Sequence, residues 1–492
     1  MNSNQLIFVH DNETVVIDFA RSTFQPSTTV LNYLRSLPNH SGTKEGCAEG
    51  DCGACTVVLA ELNQHNQLVY RAVDSCLLFL ASIHGKQLIT VENLAEKSQA
   101  TTDLHPVQQA IIDHHASQCG FCTPGVAMSM FGLYKSENTV DSNTAKRSLS
   151  GNLCRCTGYL PITEAAVQCC QHRQEDHFSK EEPKVIAMLQ SIRKDMKSRI
   201  FSTEQQLYAL PFSLDEALEL RKKYPDARLV NGATDTAIKQ NKTYTYLPQI
   251  IDISAVDELR FVSRNADGWL VGSGLCIEDF SLFMDAHFPG LGPMLRVFAS
   301  KQIRHVASIG GNVCTASPIG DLIPIFIALG ARFKISTVMT ERWLAASDFI
   351  TGYRSNALTA KELLTEIFIP DPPSGTFFFT EKVSERRELD IATLSLTARI
   401  KLNSDCYVTD IMLVYGGMAA QVKRALNTER FLLGNRWNTD AVAQAGACID
   451  QDFSPISDAR ASAAYRLQVA RNLLLKCLAQ TTTNTINLSD EA

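Results

Sequence analysis

Hydrophobic and polar residues recur at two different periods in the first part of the chain. Up to about residue 91 the apolar runs are short. Leu6–Val9, Val15–Phe19, Cys55–Leu62, Gln67–Val73 and Gln87–Val91 read as strands, while Thr28–Leu37 reads as a helix because Val30, Leu34 and Leu37 keep helical spacing. The polar turn Asn63-Gln64-His65-Asn66 separates two of the strands, so this stretch predicts a small α+β unit. From Pro106 to about Gln171 the period turns helical. Val107, Ala110 and Ile111, and after the interruption at Cys119–Gly125 also Val126, Met130 and Leu133, predict paired helices. Residues 172–205 are polar and charged and read as a linker. A mixed α/β pattern starts near Tyr208 and runs to Pro370-Asp371-Pro372-Pro373-Ser374-Gly375. Beyond that boundary alternating strands lead to a terminal helix from about Asp458 to Ala479, with Leu467, Ala470, Leu474 and Cys477 on one face. There is no internal repeat and no low-complexity tract.

Composition narrows the classes. At roughly 100–200 residues per domain, 492 residues predict three or four domains with sizeable cores. With 45% hydrophobic and 20% charged residues the chain has a globular composition. A net charge of −6 and a pI near 6.0 argue against a nucleic-acid binder, which needs a basic face. The start of the sequence meets acids after a short apolar stretch and carries no basic region of a secretory signal. The longest apolar run, Leu322 to Ala331, is half of the ~20 residues of a membrane helix and contains Pro324. The expectation is a cytoplasmic protein with no membrane and no nucleic-acid partner.

The unusual number is 15 cysteines, ten of them before residue 171. In a reducing compartment, cysteines at short spacings are metal ligands or reactive thiols rather than disulfides. Cys47, Cys52 and Cys55 with the distant Cys76 have the C-x4-C-x2-C spacing of a plant-type [2Fe-2S] site. Three thiolates from one loop must wrap a compact anionic cluster, and Gly46, Gly50 and Gly53 allow the turns this needs. A structural zinc site is the alternative, although zinc usually brings C-x2-C pairs or histidines. A second set comprises Cys119 and Cys122, with Cys154 and Cys156 some thirty residues later. Both pairs fall where helices are expected to begin, a position that stabilises thiolates. Taken alone, this set also suits zinc or a dithiol redox motif. Cys169, Cys170, Cys276, Cys314, Cys406, Cys448 and Cys477 read as ordinary thiols.

Both sets in this order, with Gln118-Cys119-Gly120-Phe121-Cys122-Thr123-Pro124-Gly125 and Gly151-Asn152-Leu153-Cys154-Arg155-Cys156-Thr157-Gly158-Tyr159, make residues 1 to 170 resemble the iron–sulfur part of the molybdenum hydroxylases. That family includes xanthine dehydrogenase, aldehyde oxidoreductase and carbon monoxide dehydrogenase. The resemblance implies a multidomain α+β protein. Residues 1–93 would form a β-grasp, ferredoxin-like domain with one [2Fe-2S] cluster on Cys47, Cys52, Cys55 and Cys76. Residues 94–171 would form an all-α helical-bundle domain with a second cluster on Cys119, Cys122, Cys154 and Cys156, the one nearest the molybdenum cofactor, with Gln118 close to that cofactor.

Beyond the linker, Leu229-Val230-Asn231-Gly232-Ala233-Thr234-Asp235 reads as a strand entering a Gly turn, and Val306-Ala307-Ser308-Ile309-Gly310-Gly311-Asn312-Val313-Cys314-Thr315-Ala316-Ser317-Pro318-Ile319-Gly320-Asp321 offers glycines and hydroxyls suited to a diphosphate. A tight turn between strands would give the same composition. Gly272-Ser273-Gly274-Leu275-Cys276-Ile277 is not a Rossmann fingerprint, since Ile stands where the third Gly belongs. The second stretch resembles the FAD-binding segment of the same family. It implies a vanillyl-alcohol-oxidase-type FAD domain over residues 206–375 and an α+β C-terminal flavin-flanking domain over 376–492. The implied FAD residues are Val230, Gly232, Thr234, Asp235, Phe298, Ser308, Gly311, Asn312, Thr315, Asp321, Leu364 and Lys382. In the loop Lys382–Asp390, Leu389 departs from the family pattern, where animal enzymes tend to carry an acid, and this loop influences the choice between NAD and oxygen.

The assembled expectation is an electron-transfer chain. A molybdopterin-binding large subunit would carry out the substrate hydroxylation, so no catalytic residue for that step is expected on these 492 residues. Electrons would then pass through two [2Fe-2S] clusters to FAD and on to NAD, in an assembly of two small and two large chains. Xanthine is the expected substrate. An aldehyde or N-heterocycle hydroxylase, or a stand-alone iron–sulfur flavoprotein carrier, is the alternative.

Overall fold

The computed structural model describes residues 4–10, 12–97, 102–171, 173–194 and 197–489. The ends of the expected domain ranges at 1–3 and 490–492, residues 98–101 of the helical range, and 172, 195 and 196 of the linker lie outside the described residues. The chain forms two compact units, Met1–Asp257 with Ala299–Ala307, and Glu258–Phe298 with Ser308–Ala492.

The first unit begins with a five-stranded sheet. β1 (Gln5–His10) pairs antiparallel with β2 (Glu13–Asp18) and parallel with β5 (Gln87–Ile89), and β3 (Thr56–Leu62) and β4 (Leu68–Asp74) complete the order β2-β1-β5-β3-β4. Helix α1 (Val30–Ser36) starts at Thr29, whose hydroxyl accepts from Asn32 N–H. It lays Val30, Leu31 and Leu34 against Leu6, Phe8, Val57 and Leu59 of the sheet. This is the expected β-grasp arrangement, and it leaves residues 40–55 as a long loop beside the sheet.

Four helices follow, α2 (Pro106–Asp113), α3 (Thr123–Ser136), α4 (Ser142–Leu149) and α5 (Leu160–Gln171). All ten residues from Gly125 to Tyr134 of α3 are buried, because this helix lies between the other helices and β3–β4 and shares a core with Val58, Ala60, Tyr70 and Ala72. A helix apolar on every side is a central helix.

The stretch read as a linker is not one throughout. It contains α6 (His177–Arg193), which packs Val185, Leu189 and Ile192 on Ile7, Val9 and Leu62. Asp176 caps α6 through Ser179 N–H at 2.7 Å and also receives Lys135 Nζ at 3.2 Å and His105 Nε2 at 3.1 Å, so a buried ionic cluster ties α6 to α2 and α3. Strands Arg199–Ser202 and Leu207–Leu210 then open a four-stranded sheet with Arg228–Val230 and Gln249–Asp252. Phe201, Tyr208, Val230 and Ile250 of this sheet share one core with Phe8, Phe79 and Leu80 of the β-grasp domain. That common core is why the compact unit runs past the expected boundary at residue 205.

The second unit holds a five-stranded antiparallel sheet, ordered Val262–Arg264, Gly268–Gly272, Leu363–Pro370, Arg332–Ser336 and Glu341–Ala345. A four-stranded antiparallel sheet follows from Thr376–Val383 to Lys423–Arg424 and is covered by the terminal helix Ala463–Ser489, which inserts Ala470, Leu474 and Cys477. Helix Leu322–Leu329 is buried along its whole length. The long apolar run of the sequence is therefore a core helix, and no helix among the described residues is long and apolar enough to cross a membrane. The fold class is multidomain α+β, as the sequence implies.

Candidate iron–sulfur and flavin sites

Every cysteine is a free thiol. In the first set, the loop after α1 curls so that the backbone N–H groups of Glu49 and Asp51 point at Cys47 Sγ, at 3.5 and 3.3 Å. Cys55 and Cys76 are each 2% exposed. They are held together by Ser75, whose hydroxyl and N–H both donate to Cys55 O, at 2.6 and 3.3 Å. The thiol of Cys47 meets those of Cys52 and Cys76, and Cys55 meets Cys76. Donation from Cys52 and Cys76, with the two backbone N–H groups, holds Cys47 far below the ordinary thiol range, whereas its neighbour Cys52 is pushed up. Cys55, which Cys76 serves in the same way, is lowered as well, while Cys76 is pushed up, so the four thiols share their charge as a coupled group.

Asp74 was not singled out by the sequence. It is fully buried, with Cys55 Sγ 3.8 Å from its Oδ1, and burial followed by the charges of Cys55 and Cys47 pushes its carboxyl well up. The only sequence signal was an acid closing an apolar strand immediately before Ser-Cys.

In the second set, Cys122 stands at the N-terminus of α3 as expected. Cys154 and Cys156 do not precede a helix directly. Helix α5 begins at Leu160, after a turn with Gly158 and Tyr159 both at positive φ. Desolvation raises the Cys154 thiol, but hydrogen bonds from Thr157, whose hydroxyl lies 3.2 Å away, bring it below the ordinary range. Cys119 is lowered by the Phe121 N–H and by Cys156, and burial pushes Cys122 up to about 12. Cys119 pairs with Cys156 and Cys122 with Cys154. In this second set the thiols meet two by two, an arrangement that suits the four thiolate ligands of a [2Fe-2S] cluster.

The two loops touch. Leu153 N–H donates to Cys52 O at 3.0 Å, and Asn152 Nδ2 donates to Gly53 O at 3.1 Å. Gly125 makes this approach possible, since a Cβ there would lie 2.1 Å from Gly53 O.

The twelve expected flavin residues divide between the units. In the first unit, Val230 ends a strand, Gly232 and Ala233 turn the chain at φ +81° and +57°, and Asp235 opens the helix Thr236–Thr243. A side chain at 232 would meet Val306 O at 1.9 Å, so only glycine fits. In the second unit, Ser308 caps the short helix Ile309–Cys314 through Gly311 N–H at 3.1 Å, Thr315 returns a bond to Gly311 O at 2.9 Å, and Asn312 Oδ1 lies 3.4 Å from Leu322 N. A helix rather than a turn between strands therefore follows Ser308. Lys382 donates to Asp321 Oδ2 at 2.8 Å in a pair whose side chains are 3% and 7% exposed. Burial raises the Asp321 carboxyl against the pull of Lys382, and its Oδ1 is buried without a hydrogen-bond partner. An orphaned acceptor of this kind suits a ligand hydroxyl, and the donor set fits a flavin dinucleotide. Leu364 is buried and Phe298 half-buried in the same unit. Leu389 takes φ +55° while 6% exposed, an unusual backbone for leucine, with Arg386 donating to its carbonyl at 2.8 Å.

Comparison with known proteins agrees with this layout. Family models described as "[2Fe-2S] binding domain", "FAD binding domain in molybdopterin dehydrogenase" and "CO dehydrogenase flavoprotein C-terminal domain" match residues 90–167, 200–372 and 379–481. The xanthine dehydrogenase/oxidase of Felis catus is 32% identical over 93% of this chain and 37% of its own length. Xanthine dehydrogenase 1 of Arabidopsis thaliana is 34% identical over 88% of this chain and 36% of its own. The chain therefore spans little more than a third of these relatives. A solved chain of reconstituted CO dehydrogenase from Oligotropha carboxidovorans superimposes with a TM-score of 0.51 at 25% identity, covering 54% of this chain and 93% of the other. Fold and thiol sets define an iron–sulfur flavoprotein. The chain belongs to the molybdenum hydroxylase family, in its electron-transferring part that binds [2Fe-2S] and FAD.

Proposed function

We propose that this chain is the iron–sulfur/FAD small subunit of a bacterial-type, cytoplasmic xanthine dehydrogenase. It would take electrons from a molybdopterin-binding large subunit and deliver them to NAD, in an assembly of two small and two large chains. The observation that carries the reading is the contact of the two four-cysteine loops through Leu153 N–H and Cys52 O, which supports two clusters in one relay. When bound, such clusters pass single electrons and the flavin collects two and can hand on a hydride.

The chain's own residues have definite tasks in this reading. Cys47, Cys52, Cys55 and Cys76 hold one cluster, with the Glu49 and Asp51 N–H groups stabilising sulfur charge. Cys119, Cys122, Cys154 and Cys156 hold the other. Val230, Gly232, Thr234 and Asp235 take one part of FAD, and Phe298, Ser308, Gly311, Asn312, Thr315, Asp321, Leu364 and Lys382 take the rest. Lys382 neutralises Asp321 and fixes the carboxylate as an acceptor. Support for the large subunit comes from the surface at Cys119 and Cys156, both exposed. Phe121, Leu153, Tyr159 and Leu160 there are 48, 42, 43 and 64% exposed, an apolar rim about thiols that a partner would cover.

Metal and flavin analysis of the anaerobically purified chain tests this. About four iron and one FAD per chain, with two distinct EPR signals on reduction, are expected, and zinc in place of iron overturns the reading. The chain alone should pass electrons from NADH to a dye and should oxidise hypoxanthine only with its partner. Lys382→Met strands a buried carboxylate, a loss of about 3–5 kcal/mol, and should strip FAD while iron stays.

A further inference from the structure

One short segment reaches both thiol loops and the Gly232 turn, and no role given above uses it. The helix Lys301–Arg304 belongs to the first unit although the chain on either side belongs to the second. At its centre Gln302 is 0% exposed. Its Nε2 donates to Asn152 Oδ1 at 2.8 Å and to Ser129 Oγ at 2.9 Å, and Asn152 Nδ2 donates onward to Gly53 O at 3.1 Å and Thr56 Oγ1 at 3.2 Å. The direction is fixed, because the Gly53 carbonyl can only accept. Asn152 stands next to Leu153, whose N–H binds Cys52 O, and two residues before Cys154. Further along the segment, His305 Nδ1 donates to Ala72 O at 2.8 Å on β4, the strand that leads to Cys76, and Val306 O closes on Gly232.

A glutamine at this position is not there to fill space. Its Oε1 is buried without a partner, which costs free energy, while its Nε2 satisfies Asn152 Oδ1, a buried acceptor that an apolar residue of equal volume would strand. The two donor bonds explain it.

We propose that Gln302 is a positioning residue for electron passage between the two thiol loops. By orienting Asn152 it keeps the Leu153 N–H on Cys52 O and so sets the separation of the two centres. In each passage one electron leaves the centre on Cys119, Cys122, Cys154 and Cys156 and reduces the one on Cys47, Cys52, Cys55 and Cys76, while Gln302 is neither oxidised nor protonated. The inference rests on the two-cluster reading. The full wild-type chain must first show both EPR signals, and their absence would sink that reading rather than this one.

The test uses the loaded chain carrying Gln302→Met, photoreduced in a short pulse and freeze-quenched for EPR. Iron, FAD and both cluster signals are expected to remain, and the splitting between the two spins to change. Equilibration should slow by a few-fold, the loss electron tunnelling suffers when two centres move apart by an ångström or so. Ser129→Ala, which leaves the Asn152 bond in place, should keep the wild-type rate. Asn152→Ala is the second variant and should slow equilibration in the same direction. A wild-type rate in either Gln302→Met or Asn152→Ala with both signals intact overturns the proposal, as does loss of one cluster alone.

Discussion

The two thiol sets offer the same donors in opposite settings. In the first, Cys55 and Cys76 are sealed into the β-grasp core and Cys47 is served by backbone N–H groups of its own loop. In the second, Cys119 and Cys156 stand at the surface within an apolar rim. Cluster potentials respond to hydrogen bonds and to solvent exposure. On the proposed reading, the chain would set the properties of the enclosed centre by itself, whereas those of the exposed centre would depend on what is laid over it.

Serine substitutions break the comparison most directly. Cys76→Ser should abolish one EPR signal and Cys156→Ser the other, each lowering iron from about four to about two per chain; loss of both signals in one variant would show that the sites do not load independently. A smaller effect separates the exposed set. Leu160→Glu puts a charge on the rim and should weaken capture of the large subunit by about 1–2 kcal/mol, roughly 5- to 30-fold, with iron content unchanged. Unaltered capture, read by sedimentation or interferometry, would place the partner elsewhere.

A pH effect marks the enclosed side. Burial, and then the Arg199 cation, hold the His84 imidazole down to about 3, and its Nδ1 accepts the Ile7 N–H at 3.1 Å. The native ring stays neutral while an unfolded one would charge below its usual value of about 6.5. The contribution is present above pH 6.5 and is lost progressively as pH falls toward 3. Acid melts followed at the Cys55–Cys76 centre should show this slope, and His84→Gln should flatten it.

The sequence was most legible where local rules suffice. Thiol spacings and the strand into Gly232 could be read along the chain, because one loop supplies three ligands and one turn needs one glycine. Helix α6 was not legible. Its start is a run of charges and Pro183 falls inside it, and a proline there removes a helical bond; Val185, Leu189 and Ile192 form its packed face only because Ile7, Val9 and Leu62 lie opposite. The Gln302 bonds were beyond reach for a different reason, since they join residues 150 and 173 positions apart. No local pattern announces such a pair.

The return of residues 299–307 into the first unit has a consequence for the order in which the protein is made. All eight proposed iron ligands have left the ribosome once residue 156 is clear of it, yet the amide that ties their loops together follows about 150 residues later, at the end of an excursion through the other unit. Metal delivered during synthesis would meet two separate loops, and metal delivered afterwards would meet one braced pair. A truncation at residue 171 would also strip the β-grasp core of Phe201 and Tyr208. The shortest fragment with the whole of the first unit's interior ends at Ala307.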